Sequence, residues 1–311
     1  MDIVAVGTVA LDKIETPFGS ADSVLGGSAT FISLSARHLC SDIGLSAVIG
    51  GDFPDEYRSV FVDRDINIDG LETIEDGKTF SWEGRYHYDL NDRDTLATHL
   101  NVLMDFDPEL PEAYRDARIL CLGNLDPKIH ASVLRQVRSP EMVICDTMNY
   151  WIENTPDELR AMLGNVDCFI INDSEARQLA GEPNLVKAAR IIQELGPRIL
   201  IIKKGEHGAL LFFENHVFSA PGFPLEEIYD PTGAGDAFMG GFAGYLASEE
   251  GRDLSALKSA VIFGSTTASF TVEKFGPERL LDLTPEEIED RVAGFRSLSH
   301  IPDTTVQFNG F

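Results

Sequence analysis

For most of its length the chain alternates short continuous apolar runs with segments whose apolar residues recur every three or four positions. The runs at 3–7, 46–50, 119–123, 143–146, 168–172 and 199–203 are strand-length and bounded by Gly, Asp or Asn, so they predict strands buried on both faces. Between them, 30–39, 55–64, 127–137, 156–163, 174–180 and 185–195 carry the helical period. This alternation predicts an α/β fold: a central, mostly parallel sheet with helices on both faces. Residues 254–272 read as a long helix. Thr284, Pro285 and Glu287 place a cap, a first-turn proline and a capping-box partner at the start of another.

Residues 78–103 break the rhythm. Phe80, Trp82, Tyr86 and Tyr88 precede a polar turn at 91–94, and Leu96, Leu100 and Val102 follow it. Aromatic and β-branched residues around a polar turn predict a hairpin, with residues 14–18 able to pair with it. It forms either a lid over a cleft or an extra antiparallel edge of the main sheet. No repeat or Pro/Ser-rich linker divides residues 1–311, which read as a single domain with lid segments near 13–20 and 78–103.

The hydrophobic content of 43% over 311 residues supports a large core. No apolar run is long enough to span a membrane, and the first residues enter a strand without a basic leader, so a cytoplasmic protein with no membrane partner is expected. Cys40, Cys121, Cys145 and Cys168 are widely spaced in apolar surroundings and read as buried free thiols. A net charge of −26 argues against a nucleic-acid partner, because phosphate backbones are held by clustered Lys and Arg. Any anionic ligand must be held by local positive potential.

Such potential is predicted at Asp230-Pro231-Thr232-Gly233-Ala234-Gly235-Asp236, which leads into a small, apolar helix at 237–247. The N–H groups of Gly233, Ala234 and Gly235 are unpaired donors at a helix N-terminus, where the dipole favours an anion. A carboxylate beside that anion, Asp236, makes chemical sense as a base next to a reacting phosphoryl group; as structure alone, it is a helix cap on a Gly-rich turn.

Three further stretches accompany this one in order: Gly26-Gly27-Ser28-Ala29, Asn172-Asp173-Ser174-Glu175 and Lys203-Lys204-Gly205-Glu206-His207-Gly208. Together the four span nearly the whole chain, which resembles the ribokinase or PfkB family of sugar and nucleoside kinases. Pro231 departs from the small or Thr residue usual there and leaves the anion turn intact. The resemblance implies a ribokinase-like (Rossmann-like) sheet with a small β lid, and phosphoryl transfer from ATP with magnesium. It assigns Asp236 as general base and the turn of Gly233, Ala234 and Gly235 as anion hole. Lys203, Lys204, Gly205, Gly208 and Thr232 fall on the nucleotide side, with one of the two lysines facing the phosphates. Asn172 and Glu175 act on magnesium through water, although residues so spaced at a helix start equally form a capping pair. Asp230 lies near a potassium site in some members, and turn stabilisation is an equal account of it.

On the acceptor side the resemblance places Asp12, Gly26, Gly27 and Ser28. A carboxylate suits two adjacent hydroxyls, and glycines let the backbone come close. Asn124 and the lid residue Arg85 are weaker candidates there. The stretch 146–151 either lines the cleft or anchors a loop through Trp151. The expected partner is a small sugar or sugar-like molecule, neutral rather than phosphorylated because the lid carries few arginines, and a homodimer through the lid is expected. A nucleoside kinase on the same scaffold, with Phe80, Trp82 or Tyr86 stacking on a base, is the alternative. A noncatalytic sugar- or nucleotide-binding regulator is the rival of another class. A Rossmann dehydrogenase is set aside, because no G-x-G-x-x-G follows the first strand.

Overall fold

The computed structural model describes residues 1–91 and 93–300, so Asp92 of the predicted turn and the tail at 301–311 lie outside the described residues. In chain order the elements are β1 Ile3–Val6, β2 Ala10–Thr16, β3 Gly19–Gly26, α1 Ser28–Arg37, β4 Ile43–Gly50, α2 Asp55–Val62, β5 Ile66–Ile74, β6 Ser81–Tyr86 and β7 Arg93–His99. Then come β8 Ile119–Leu122, α3 Pro127–Leu134, β9 Met142–Asp146, α4 Asn149–Asn154, α5 Pro156–Leu163, β10 Cys168–Asn172, α6 Asp173–Ala180, α7 Leu185–Gln193 and β11 Ile199–Lys203. The described chain closes with β12 Ala209–Phe213, β13 His216–Ala220, α8 Ala234–Ser248, α9 Leu254–Thr271, α10 Glu278–Asp282 and α11 Pro285–Ser299.

Nine strands form the main sheet in the order β13-β12-β11-β10-β9-β8-β1-β4-β5. Its pairings are parallel from β5 through β11 and antiparallel at β11–β12 and β12–β13. Side-chain alternation separates two cores: Ile3 and Ala5 pack with α1, α8 and α9 on one face, whereas Val4 and Val6 pack with the side of α5 and α7 on the other. The six strands read from apolar runs are all present. Three strands carry weaker signals: β5, which mixes polar residues into an edge, and the hairpin of β12 and β13.

Helix α8 is apolar all round because it is sandwiched between α1 and α9, whose backbones approach it closely. A Cβ on Gly240 would stand 2.3 Å from the Ile32 carbonyl oxygen, and one on Gly241 2.3 Å from Thr267 Oγ1. The predicted capping box of Thr284 and Glu287 opens α11. The four cysteines are free thiols, but Cys40 is half-buried rather than buried: it follows α1 at the sheet's edge and donates to Asp2.

The lid segments form a separate four-stranded sheet in the order β3-β2-β6-β7, so the alternative of an extra edge on the main sheet does not hold. Strand β2 runs parallel to β6 through Lys13↔Glu83, Ile14↔Gly84 and Glu15↔Arg85, and β6 forms the hairpin with β7. Among the described residues, no helix is long and apolar enough to cross a membrane.

Candidate active site

The C-terminal ends of β9, β10 and β11 open into a cleft of about 2470 Å³ between the main sheet, the second sheet and the head of α8. Open α/β sheets place ligands at that edge. Lys203 ends β11 directly opposite Asn172, which ends β10. Asp146 ends β9 opposite Ile170.

Gly233 caps α8 in the left-handed region, φ 77°, and a Cβ there would strike the Phe31 ring at 2.3 Å, so only glycine makes this turn. Asp236 follows in the first helical turn. Lys203 comes up beneath it, with Nζ 2.6 Å from where a Gly235 Cβ would stand, which settles the choice between the two lysines: Lys203 points at the anion turn. Lys204 also borders the cleft but spends its N–H on the Gly208 carbonyl, 2.7 Å away, within the turn that contains Gly205 and Gly208.

Four carboxylates that burial raises, Asp12, Asp146, Glu175 and Asp236, border this cleft, a set that no spacing in the sequence gathers together. Burial raises Asp236 to about 6, although the Lys203 ammonium, a hydrogen bond from Asp146 and the Arg93 guanidinium all favour its charged form. Burial, and after it the adjacent Asp236 charge, push Asp146 well above its ordinary value, and the two carboxyls share a hydrogen bond. Two carboxyls this close do not both ionise. Asp146 Oδ1 is buried without a hydrogen-bond partner. Glu175 is buried and raised by that burial, with Lys203 opposing. It forms the full capping box with Asn172: the Asn172 N–H donates to Glu175 Oε2 at 3.1 Å and the Glu175 N–H to Asn172 Oδ1 at 2.8 Å. Both still border the cleft, so the cap fixes the Glu175 carboxylate at its rim.

The fourth carboxylate, Asp12, lies on β2 at the acceptor end. Gly26, paired across from Ala10, exists there because a Cβ would fall 2.0 Å from Asp12 Oδ2. Asp12 is only 4% exposed, its Oδ1 has no partner, and burial raises its pKa to about 7. Ser28 is already committed: its Oγ accepts the Thr8 N–H at 3.0 Å and its N–H donates to Thr8 Oγ1 at 2.9 Å, knitting β1 to α1 below Gly27. Asn124 Oδ1 accepts from Trp151 Nε1 at 2.8 Å, so Trp151 both borders the cleft and anchors Asn124.

One expectation needs correcting, and one pair of alternatives can be weighed. Arg85 is not at the acceptor: on β6 the side chains of Trp82 and Tyr86 turn into the cleft, and Arg85, between them in the pleat, turns out to pair with Glu15 at 2.7 Å. Of the two accounts of Asp230, the contacts support the turn: it is fully buried, with Oδ1 accepting the Thr232 N–H at 2.8 Å and Oδ2 the Gly276 N–H at 3.0 Å. Thr232 is held to the lid, its hydroxyl donating to Tyr86 Oη at 3.2 Å.

A cradle for phosphate, a lysine, a buried carboxylate dyad and a second carboxylate for hydroxyls together suit phosphoryl transfer to an alcohol. Comparison with known proteins agrees. Residues 13–282 match the family described as pfkB family carbohydrate kinase. The chain is 30% identical over 281 residues to the cytidine kinase of Thermococcus kodakarensis, covering 89% of this chain and 98% of that protein. It is 26% identical over 304 residues to a nucleoside kinase of Methanothermobacter thermautotrophicus, covering 93% and 94%. The crystal structure of Methanocaldococcus jannaschii nucleoside kinase superposes with a TM-score of 0.75 at 20% identity, covering 94% of this chain and 99% of that one. The geometry and the full-length matches converge: the chain belongs to the pfkB family of carbohydrate kinases and is an ATP-dependent kinase with the ribokinase-like fold.

Proposed function

We propose that this kinase phosphorylates the primary hydroxyl of a nucleoside, with cytidine the first acceptor to test, rather than a free sugar. The observation that carries the choice is the aromatic wall of the cleft: Phe80, Trp82 and Tyr86 from the lid face the side where Asp12 waits for hydroxyls, and Phe106 and Trp151 border the same space. A lone sugar ring offers hydroxyls and little flat apolar surface; a base offers a face to stack. The relatives matched along nearly their whole length are named for cytidine and nucleosides, which supports the same reading.

In this reading Asp12 accepts hydrogen bonds from the ribose hydroxyls and presents the primary hydroxyl to Asp236. Asp236 takes its proton as the new O–P bond forms and the bond to the leaving ADP oxygen breaks. The N–H groups of Gly233, Ala234 and Gly235 and the Lys203 ammonium hold the developing charge. The residues fit magnesium: the donors at the phosphate end are hard oxygens, Glu175 and the unpartnered Oδ1 of Asp146. Among the described residues, no cluster of three side chains could hold a metal alone, which matches an ion carried largely by phosphates and water. Bound there, it would supply charge neutralisation for the phosphates, with Glu175 and Asp146 the residues that would hold it. A cytoplasmic enzyme is part of the proposal, as is a homodimer through the lid, where Leu96 is exposed on β7. Sedentation equilibrium giving a monomer mass at micromolar concentration would remove the dimer.

The test is ADP release with purified enzyme and Mg·ATP against a panel of nucleosides and free pentoses and hexoses. A nucleoside should exceed every sugar in kcat/KM by at least about tenfold, one stacked base contributing roughly 1–3 kcal/mol. A sugar at the head of the ranking would overturn the nucleoside assignment. Replacing potassium by a bulky organic cation in the same assay tests a monovalent site near Asp230; with both oxygens of Asp230 already bonded to backbone donors, turnover should change less than about twofold.

A further inference from the structure

Arg93 was read as part of a polar turn, and the structure puts it elsewhere. It begins β7 and pairs with Tyr86, so it shares the inward face of the lid with Tyr86, Thr95, Thr98 and Trp82, all of which border the cleft. Its guanidinium lies over the Trp82 ring, 5.8 Å from the centroid. The other lid arginine, Arg85, is spent on Glu15, but Arg93 makes no ion pair among the described residues. That is notable in a chain with 51 acidic and 25 basic side chains. An arginine left unpaired while facing a cleft full of carboxylates is available for an anion brought from outside.

Where that anion sits follows from where the lid reaches. Arg93 borders the same cleft as Lys203 and the turn of Gly233, Ala234 and Gly235, the phosphate end in the reading above. The lid tip stands on that same end: Asn91 Oδ1 lies 2.6 Å from where a Cβ on Gly205 would be. Lys203 approaches the anion turn from the main sheet, and Arg93 faces it from the lid.

We propose that Arg93 is a catalytic residue of the transfer step, binding the non-bridging oxygens of the γ-phosphoryl group opposite Lys203, so that the lid supplies part of the charge stabilisation. The proton still passes from the acceptor hydroxyl to Asp236, and the bond to the ADP oxygen still breaks. Arg93 bears only on the charge spread over the transferring group, where a positioned arginine is worth about 10³–10⁵ in rate in other phosphoryl-transfer enzymes. The stacking on Trp82 holds the guanidinium plane ready while no nucleotide is bound. The inference rests on kinase activity but not on the nucleoside assignment.

The experiment compares Arg93→Ala and Arg93→Lys with wild type, using whichever acceptor the wild-type enzyme turns over. A mistaken acceptor class then appears in the wild-type ranking and not in the ratio of variant to wild type. Arg93→Ala should lower kcat by at least about 10²-fold. Acceptor KM and the Kd for ATP should stay within about threefold, and the thermal midpoint within about 3 °C. Low-millimolar guanidinium should restore part of the lost kcat in Arg93→Ala and leave wild type unchanged. Arg93→Lys should fall between the two, keeping the charge and losing the fork. A kcat within about threefold of wild type, or a rise in acceptor KM at unchanged kcat, would overturn the proposal; the second result would make Arg93 an acceptor ligand.

Discussion

Asp236→Asn should lower kcat by about 10²–10⁴ while leaving the fold and the affinity for ATP close to wild type, because the amide keeps the carboxylate's shape and cannot take a proton. Its place explains the size of the effect. The carboxyl stands at the head of α8, beside the anion turn and the Lys203 ammonium, where it is held near the reacting oxygen in either protonation state. The pH dependence provides a second readout. Burial raises Asp236 to about 6, and only the ionised form can act as base, so kcat at saturating substrates should fall as pH drops through that region and level off above it. The residual rate of Asp236→Asn should lack that acid limb. Near-wild-type turnover in the variant, or an acid limb unchanged by the substitution, would show that another group takes the proton.

The sheet and the phosphate end were legible in the sequence for the same reason: both depend on local pattern. Strands β1, β4, β8, β9, β10 and β11 are buried on both faces and leave continuous apolar runs, and the turn at Gly233 needs a glycine wherever it occurs. What was not legible depends on register and on distance in space. Strand β5 hides because an edge strand keeps polar residues, and strand β3 leaves little signal because its first half, Gly19 to Asp22, has no apolar alternation. Arg85 and Arg93 could not be told apart by composition. The pairing Tyr86↔Arg93 decides it, since one step along β6 reverses the face. The dyad of Asp146 and Asp236 joins residues ninety positions apart, and no spacing rule reaches so far. A weaker signal was available: Asp146 ends a strand at the edge where α/β sheets bind ligands, as Asn172 and Lys203 do.

Asp12→Ala should separate binding from folding more cleanly than any other change in the cleft. Asp12 is buried on β2 with one oxygen unpaired, borders the cleft, and stands close enough to Asp230 and Asp236 to feel their charge. Loss of that carboxylate removes the acceptor for the ligand's hydroxyls, so acceptor KM should rise by at least about tenfold, the range for hydrogen bonds to a charged group. The value of kcat should fall as well, because a loosely held hydroxyl meets the phosphate off line. Affinity for ATP should stay within about twofold. Stability should move the other way. In the folded chain Asp12 titrates at about 7, above its ordinary value of 3.8, so the native state binds more protons than the unfolded one between those limits. Stability therefore declines as pH rises through that window, and the alanine variant, which has no charge to bury, should show a flatter decline and be no less stable than wild type at pH 8. The same titration predicts that acceptor affinity of wild type weakens below about pH 7, as the carboxylate takes up its proton. A variant that instead lost ATP binding, or that unfolded more easily at pH 8, would make Asp12 a structural residue and leave the acceptor hydroxyls without their proposed partner.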